Sequence, residues 1–325
     1  MSTALVTVDI GGTHARFALA QIADDGAITL GEPATLHTMD HASFQTAWED
    51  FAQMQGGVLP DAVAIAMAGP VGGDVIRFTN NPWVIRPALI PEKLGASRYT
   101  VINDFGAVGH AVACAGTEHF IHLAGPDVPL PPSGTISLVG PGTGLGVAHV
   151  WRSGVGDYRV QATEGGHVDY APLDTIEDAI LARLRQRYRR VSAERVVSGP
   201  GLVDIYEALA LLEGRAIHPV DDKVLWQRGT SGEDSLAAAA VDRFCLSLGS
   251  FAGDVALAQG GSGVVIAGGL GLRIKDTLLQ SGFANRFTAK GRFAELMGSL
   301  PVKLITHPQP GLFGAAAAFA KEHLS

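Results

Sequence analysis

The amino-acid sequence predicts an α/β chain built from two domains, on three observations. Strand-like and helix-like segments alternate through the first part of the chain, and 325 residues at about 150 per domain make roughly two domains. A β-branched strand that meets a glycine turn and continues at once as another strand occurs twice, at Asp9-Ile10-Gly11-Gly12-Thr13 and at Gly140-Pro141-Gly142-Thr143-Gly144, which reads as a weak internal duplication.

Residues 4–10 are a short β-branched run ending at the paired glycines, and 14–22 read as a second strand. Asp25-Gly26 is a hairpin turn into a strand over 28–37, so the chain opens as an antiparallel meander. Residues 41–53 have helical spacing. The apolar run 62–67 is a buried strand stopped by Gly69-Pro70, and 99–102 is another, leading through Asn103-Asp104 into a helix over 105–115. Residues 125–134, with four prolines, form the candidate boundary loop before strands at 135–139 and 145–151. Helices dominate afterwards, at 175–190, 201–212, 220–228 and 233–259, with a strand at 263–267 before Gly268-Gly269. A strand at 302–305 and an alanine-rich helix over 311–324 close the chain, and side chains that small imply tight packing.

Composition narrows the function classes. Apolar residues make up 47% and charged residues 17%, the balance of a packed chain rather than a solvated tail. With 24 basic against 32 acidic residues the net charge is −8, a field that repels nucleic-acid backbones and anionic membrane surfaces, so a polyanion must be bound by a local device. Glycine, 41 residues, is well above the usual share of about 7% and clustered, which points to functional backbone loops. Cys114 and Cys245 make neither a disulfide framework nor a Cys-rich zinc site and fit a reducing cytoplasm. The first residues lack a basic region and Asp9 interrupts their apolar run, unlike a secretory signal. The uncharged stretch 255–272 carries six glycines with Gln259 and Ser262, a poor membrane helix.

The chemistry-bearing residues fall into four groups. Paired glycines after Asp9 let backbone N–H groups converge on phosphate oxygens, with the Thr13 hydroxyl as a further donor. Asp9 itself would repel phosphate, so its role there is to hold hydrated Mg²⁺ whose waters bridge to the phosphates; the same residues also describe an ordinary hairpin turn with a capping Asp. The loop from Gly140 to Gly146 has Leu145 where a dinucleotide fingerprint needs its last glycine, and no GK[ST] occurs, so neither a Rossmann site nor a Walker loop fits. Asp104, where a strand gives way to a helix, sits at the carboxyl edge of a sheet in the helix N-terminal field. It suits a general base towards a hydroxyl that attacks phosphorus, with Asn103 orienting the same substrate, although either residue could simply cap the helix.

Glu164-Gly165-Gly166-His167 brings an acceptor and an imidazole together on a glycine turn, with Asp169 following. The glycines argue against the helix that a Glu-x-x-His metal pair needs, and a carboxylate spanning neighbouring sugar hydroxyls is more economical. Glu194 is the second such carboxylate, or else the partner of Arg195 in a helix-end ion pair. Arg183, Arg185, Arg187, Arg189 and Arg190 form a basic run, but Ile176, Ile180, Leu184 and Tyr188 mark the buried face of the same helix. The arginines are therefore read as its solvated face, with an oligomer contact, rather than as a nucleic-acid site. Trp83 and Phe78, around Asn80-Asn81-Pro82, fit a sugar pocket or, more simply, the core.

Taken together, Asp9-Ile10-Gly11-Gly12-Thr13-His14-Ala15-Arg16, Ile102-Asn103-Asp104-Phe105, Gly140-Pro141-Gly142-Thr143-Gly144-Leu145-Gly146, Glu164-Gly165-Gly166-His167, Ser192-Ala193-Glu194-Arg195 and Ala267-Gly268-Gly269 resemble the bacterial glucokinase family. The likeness runs nearly end to end, in order and spacing, and that family belongs to the hexokinase, actin and heat-shock ATPase superfamily. The resemblance implies the two-domain actin-like (ribonuclease H-like) ATPase fold with a cleft. Its smaller α/β domain would take residues 1–114 and, because the C-terminal helix returns to it, 306–325; its larger, helix-rich domain would take 115–305. It implies ATP phosphates against Asp9, Ile10, Gly11, Gly12, Thr13, His14 and Arg16 and against Gly142, Thr143 and Gly144, adenosine near Gly268 and Gly269, and Mg²⁺ at Asp9. Glucose would lie against Asn103, Asp104, Glu164, His167 and Glu194, with Asn80 and Asn81 as further substrate candidates and Asp104 as catalytic base. His14 stands where many relatives carry Asn, and the Cys-rich motif of the zinc-containing repressor and kinase group is absent.

The implied activity is ATP-dependent phosphorylation of D-glucose at its 6-hydroxyl, giving glucose 6-phosphate and ADP at the entry to glycolysis, by a cytoplasmic homodimer. A kinase for another hexose, such as fructose or mannose, would differ by a few hydroxyl contacts. A sugar-responsive regulator or an actin-like cytoskeletal ATPase is the rival from another class. A first strand beginning by Ala4 leaves no room ahead of it for a helix-turn-helix, and Glu164, His167 and Glu194 speak against a filament protein.

Overall fold

In the segment Ala62–Met67 the side chains alternate between large and small, and every residue is buried, as a strand covered on both faces must be. Val63, Ile65 and Met67 join one core and Ala62, Ala64 and Ala66 another. The computed structural model describes residues 2–69, 71–78, 81–154, 156–217 and 219–324. It divides into two compact units, Met1–Ala115 with His307–Ser325, and Gly116–Thr306.

In the first unit β1 (Thr3–Ile10) and β2 (His14–Ile22) form a hairpin whose register runs from Thr3 opposite Ile22 to Ile10 opposite Ala15. The single strand expected over 28–37 is two, β3 (Ile28–Leu30) and β4 (Ala34–His37), both antiparallel to β2. Gly31 still donates to the Leu19 carbonyl at 2.8 Å, but Pro33 has no N–H for a ladder, so the pairing breaks there. Helix α1 (Phe44–Met54) starts later than residue 41 because Ser43 and Thr46 cap it reciprocally. After β5 (Ala62–Met67) come the short hairpin β6 (Ile76–Arg77) and β7 (Val84–Ile85), then α2 (Ile90–Leu94), β8 (Arg98–Asn103) and α3 (Asp104–Cys114). The sheet order is β3-β2-β1-β5-β8, with β4 also on β2.

The second unit begins with β9 (Phe120–Ala124), β10 (Ser133–Pro141), β11 (Leu145–Ser153) and β12 (Tyr158–Thr163). Helices α4 (Thr175–Arg187), α5 (Gly201–Leu212), α6 (Asp222–Ser231) and α7 (Ser235–Gln259) follow, then β13 (Gly261–Ile266). Four short helices, α8 (Gly268–Arg273), α9 (Lys275–Gln280), α10 (Phe283–Thr288) and α11 (Ala294–Gly298), precede β14 (Val302–Ile305). The proline-rich stretch 125–134 lies inside this unit, since β9 ahead of it pairs antiparallel with β14. Among the described residues α7 alone is long and apolar enough to cross a membrane, and most of it is buried here. The arginines of α4 are less solvated than expected. Arg183 meets Glu207 of α5 at 2.6 Å and Arg187 pairs with Asp204 of α5, so two of them fasten one helix to the next.

The duplication suggested by the two glycine turns is a repeat of topology. Sheet order β12-β11-β10-β13-β14 in the second unit repeats β3-β2-β1-β5-β8 in the first, with two antiparallel pairings followed by two parallel ones in each. A helix follows the last strand of each series: α3 after β8, and α12 (Pro310–His323) after β14. This is the architecture of the actin-like ATPase fold.

Helix α12 belongs to the first unit, where Ala315, Ala316 and Phe319 join Ala62, Ala64, Ala66 and Ala107 in one core. Alanine meeting alanine lets the backbones approach closely, and at Gly314 they leave no room. A Cβ there would lie 1.7 Å from the Ala107 carbonyl oxygen of α3. Gly314→Ala is therefore expected to destabilise the first unit by about 1–3 kcal/mol or more through overpacking, measured as a lower urea midpoint at unchanged m-value.

Candidate active site

The turn between β1 and β2 is held by its carbonyls. The Gly11 N–H donates to the His14 carbonyl at 2.9 Å, and the Gly11 carbonyl accepts from Asn81 Nδ2 at 3.3 Å. The Gly12 carbonyl accepts from Thr38 Oγ1 and the Thr13 carbonyl from the Thr38 N–H, both at 3.0 Å. Asn81 and Thr38 are buried, at 6% and 0% exposure. In a trans peptide the N–H points opposite to the C=O. Three carbonyls turned into the protein thus aim the amides of Gly12, Thr13 and His14 away from those anchors, which is the geometry of an anion cradle.

Asp9 is the last residue but one of β1, beside this turn and opposite Arg16 in the register, and the Arg16 guanidinium lies 3.4 Å from its carboxylate. Burial pushes the Asp9 carboxyl up to about 6, against the pull of Arg16 and with a further push from the negative charge of Asp104. Asp104 is the first residue of α3, directly after β8. The preceding residue, Asn103, is the N-cap: its Oδ1 accepts from the Phe105 and Gly106 amides at 2.9 and 3.0 Å, and its Nδ2 donates to the Gly69 carbonyl at 3.1 Å. Asp104 Oδ1 accepts from the Phe105 N–H at 2.8 Å. One half of the cap reading thus holds, because Asn103 caps while its neighbour stands in the helix N-terminal field.

In the second unit the matching turn joins β10 and β11, with the Gly142 N–H donating to the Gly144 carbonyl at 2.8 Å and the Gly199 N–H to the Gly142 carbonyl at 2.7 Å. Gly268, at φ +82° after β13, comes so close that a Cβ would sit 2.6 Å from the Pro141 carbonyl oxygen, so glycine is required there. Gly269 follows in α8. Glu164 precedes a single 3₁₀ turn, Gly165–His167. Its carboxylate lies 3.8 Å from His167 Nε2, and Glu194 lies 3.9 Å from His167 Nδ1. Side-chain exposures of 72% for Glu164, 54% for His167 and 28% for Glu194 leave the trio open to a solute. Glu194 also accepts from the Leu145 N–H at 2.9 Å, whereas Arg195 lies over the Tyr188 ring at 4.1 Å.

The first unit thus collects Asp9, Gly11, Gly12, Thr13, Arg16 and Asp104, and the second collects Gly142, Thr143, Gly144, Glu164, His167, Glu194 and Gly268. Ile10 contributes main chain only, its side chain being fully buried. The His14 ring packs on His37 at 4.3 Å. Asn81 braces the first turn and accepts from the Trp83 N–H at 2.9 Å; Trp83 is core. Asn80 lies outside the described residues. Sequence reasoning missed Thr38 and Arg190. The latter clamps the 3₁₀ turn through Asp169 and the His167 carbonyl, both at 2.7 Å.

A family model described as Glucokinase matches residues 6–322. The chain is 58% identical to the glucokinase of Zymomonas mobilis over 98% of both chains. Its structure is similar to that of a glucokinase from an Antarctic psychrotroph, with TM-score 0.86, 31% identity and coverage of 98% of this chain and 99% of that one. It shares the fold of a Streptomyces griseus ROK family glucokinase in complex with glucose and AMPPNP, with TM-score 0.63, 19% identity and coverage of 97% and 98%.

The Asp9 carboxyl, raised from 3.8 to about 6, binds its proton more tightly in the native than in the unfolded chain. Its contribution to stability is therefore present below about pH 4 and lost as pH rises through about 6. Asp9→Asn is expected to raise the melting temperature above pH 7, with the gain fading towards pH 4. Differential scanning fluorimetry from pH 4 to 8 checks this, and a gain largest at pH 4 would contradict it.

Proposed function

The chain belongs to the glucokinase family, and on that premise we propose how its residues divide the work. It is an ATP-dependent kinase that phosphorylates the 6-hydroxyl of glucose. Asp104 is the base. As the sugar oxygen attacks the γ-phosphorus, the O6–H bond breaks towards the Asp104 carboxylate, the O6–P bond forms, and the bond from phosphorus to the bridging oxygen breaks to release ADP. The observation that supports this reading is the placement of Asp104 at the start of α3, close enough to Asp9 for their charges to repel, so that base and phosphate turn share one end of one sheet.

The amides of Gly12 and Thr13 and, on the second turn, those of Thr143 and Gly144 receive charge that builds on the phosphoryl oxygens. Glu164, His167 and Glu194 hold sugar hydroxyls, two carboxylates accepting and the imidazole serving either way. Two mutually repelling carboxylates fit a hydrated Mg²⁺, which takes one or two carboxylates plus substrate phosphates. Asp9 would hold that ion, which when bound neutralises phosphate charge. The reading also includes a homodimer and a reducing, cytoplasmic setting, with which two cysteines standing outside any disulfide, Cys114 and Cys245, agree.

Asp104→Asn is expected to lower glucose phosphorylation by about 10²- to 10⁴-fold while calorimetric glucose binding persists; near-normal turnover would remove Asp104 as base. Thr38→Val leaves the Gly12 carbonyl without its hydroxyl donor. The expected result is a KM for ATP about tenfold higher with the KM for glucose within about twofold, and Thr38→Ser should restore the parental value.

A further inference from the structure

Glu194 stands between the phosphate turn and the sugar residues of the second unit, with one carboxylate oxygen committed to each side. Oε2 accepts from the Leu145 N–H at 2.9 Å, immediately after the 142–144 turn, while Oε1 faces His167 Nδ1 at 3.9 Å, and His167 Nε2 faces Glu164 at 3.8 Å. The contact with the turn is close. A Cβ built on Gly144 would lie 2.6 Å from Glu194 Oε2, whereas one on Gly142 meets nothing within 4 Å. The main chain that carries Glu194 is fixed to the 3₁₀ turn of His167 by the Ala193 N–H to the Val168 carbonyl at 2.8 Å and by the bridge between Asp169 and Ser192.

We propose that Glu194 is a positioning residue that couples the two substrates: a sugar hydroxyl bound at Oε1 holds the side chain in the rotamer whose Oε2 fixes Leu145 and so shapes the 142–144 turn for phosphate. A glutamate loses rotamer freedom when both oxygens are engaged. Whichever substrate binds first bears that ordering cost, and the second binds to a side chain already in place. The coupling is reciprocal by thermodynamic necessity, so nucleotide tightens glucose by the factor with which glucose tightens nucleotide. The proposal rests on Glu164, His167 and Glu194 being the sugar residues.

The test is isothermal titration of glucose with and without magnesium AMPPNP, for the parent chain and for Gly144→Ala, Gly142→Ala and Glu194→Gln. In the parent, AMPPNP is expected to lower the glucose Kd severalfold. Gly144→Ala displaces the carboxylate, so a change on the nucleotide turn should weaken glucose about tenfold with no nucleotide present and bring the coupling ratio to one. Gly142→Ala should change nucleotide affinity and leave the glucose Kd within about twofold. Glu194→Gln should weaken glucose and abolish the ratio. A parental ratio of one, or an unchanged glucose Kd in Gly144→Ala beside a weakened one in Glu194→Gln, overturns the coupling and spares the sugar assignment. Parental glucose affinity in Glu194→Gln overturns the sugar assignment itself. Should Gly144→Ala fail to fold by circular dichroism, the ratio in Glu194→Gln decides, and a parental value overturns the coupling.

Discussion

A backbone amide is held ready for a phosphate when the carbonyl of the same peptide is anchored on the opposite side, and the rest of the site depends on how this protein anchors its carbonyls. At the first turn Asn81 and Thr38, both buried, take the carbonyls of Gly11, Gly12 and Thr13. At the second, Gly199 takes the Gly142 carbonyl and Glu194 takes the Leu145 amide. Glycine at these positions permits the close approach, but it is the anchoring of each carbonyl that decides which way the amides face. In the proposed reading phosphate binding is thereby built from main chain, and the overall charge of −8 is no obstacle to it.

Strand order carries the same device twice. In each unit a hairpin with a glycine turn has its first strand continued by two parallel neighbours, so the turn, the carboxyl end of the next parallel strands and the start of the following helix fall at one end of a sheet. That end holds Asp9 and Asp104 in the first unit and the 142–144 turn and Gly268 in the second. The electrostatics follow from this crowding. Asp9 is raised to about 6 because it is largely buried and because Asp104 is near, so its ionised form is a destabilising negative charge of the kind a bound cation relieves.

Motifs were legible where their chemistry is local. The paired glycines, the strand-to-helix position of Asp104 and the Glu164-to-His167 spacing all lie within a few residues, and the structure sets them on a turn, at a helix start and around one 3₁₀ turn. Thr38 was not legible: it reaches its carbonyl partner across 26 residues of sequence, and nothing in a lone threonine at the end of a strand announces that. Arg190 looked like one more solvated cation of a basic run and is instead a clamp across 23 residues. Strand β9 was missed because its reason to be a strand is β14, far along the chain, and α8 to α11 are too short for helical periodicity to register.

By itself the sequence determined the α/β class, the order of the longer elements, the duplicated glycine turns and the family likeness, because hydrophobic period, turn chemistry and motif spacing are written in near neighbours. Tertiary structure alone decided which carbonyls are anchored, how far the Asp9 carboxyl is raised, and that one oxygen of Glu194 serves a turn while the other faces His167. Those properties are distances between residues remote in the chain, and a hydrogen bond or a charge interaction acts through space, without regard to sequence separation.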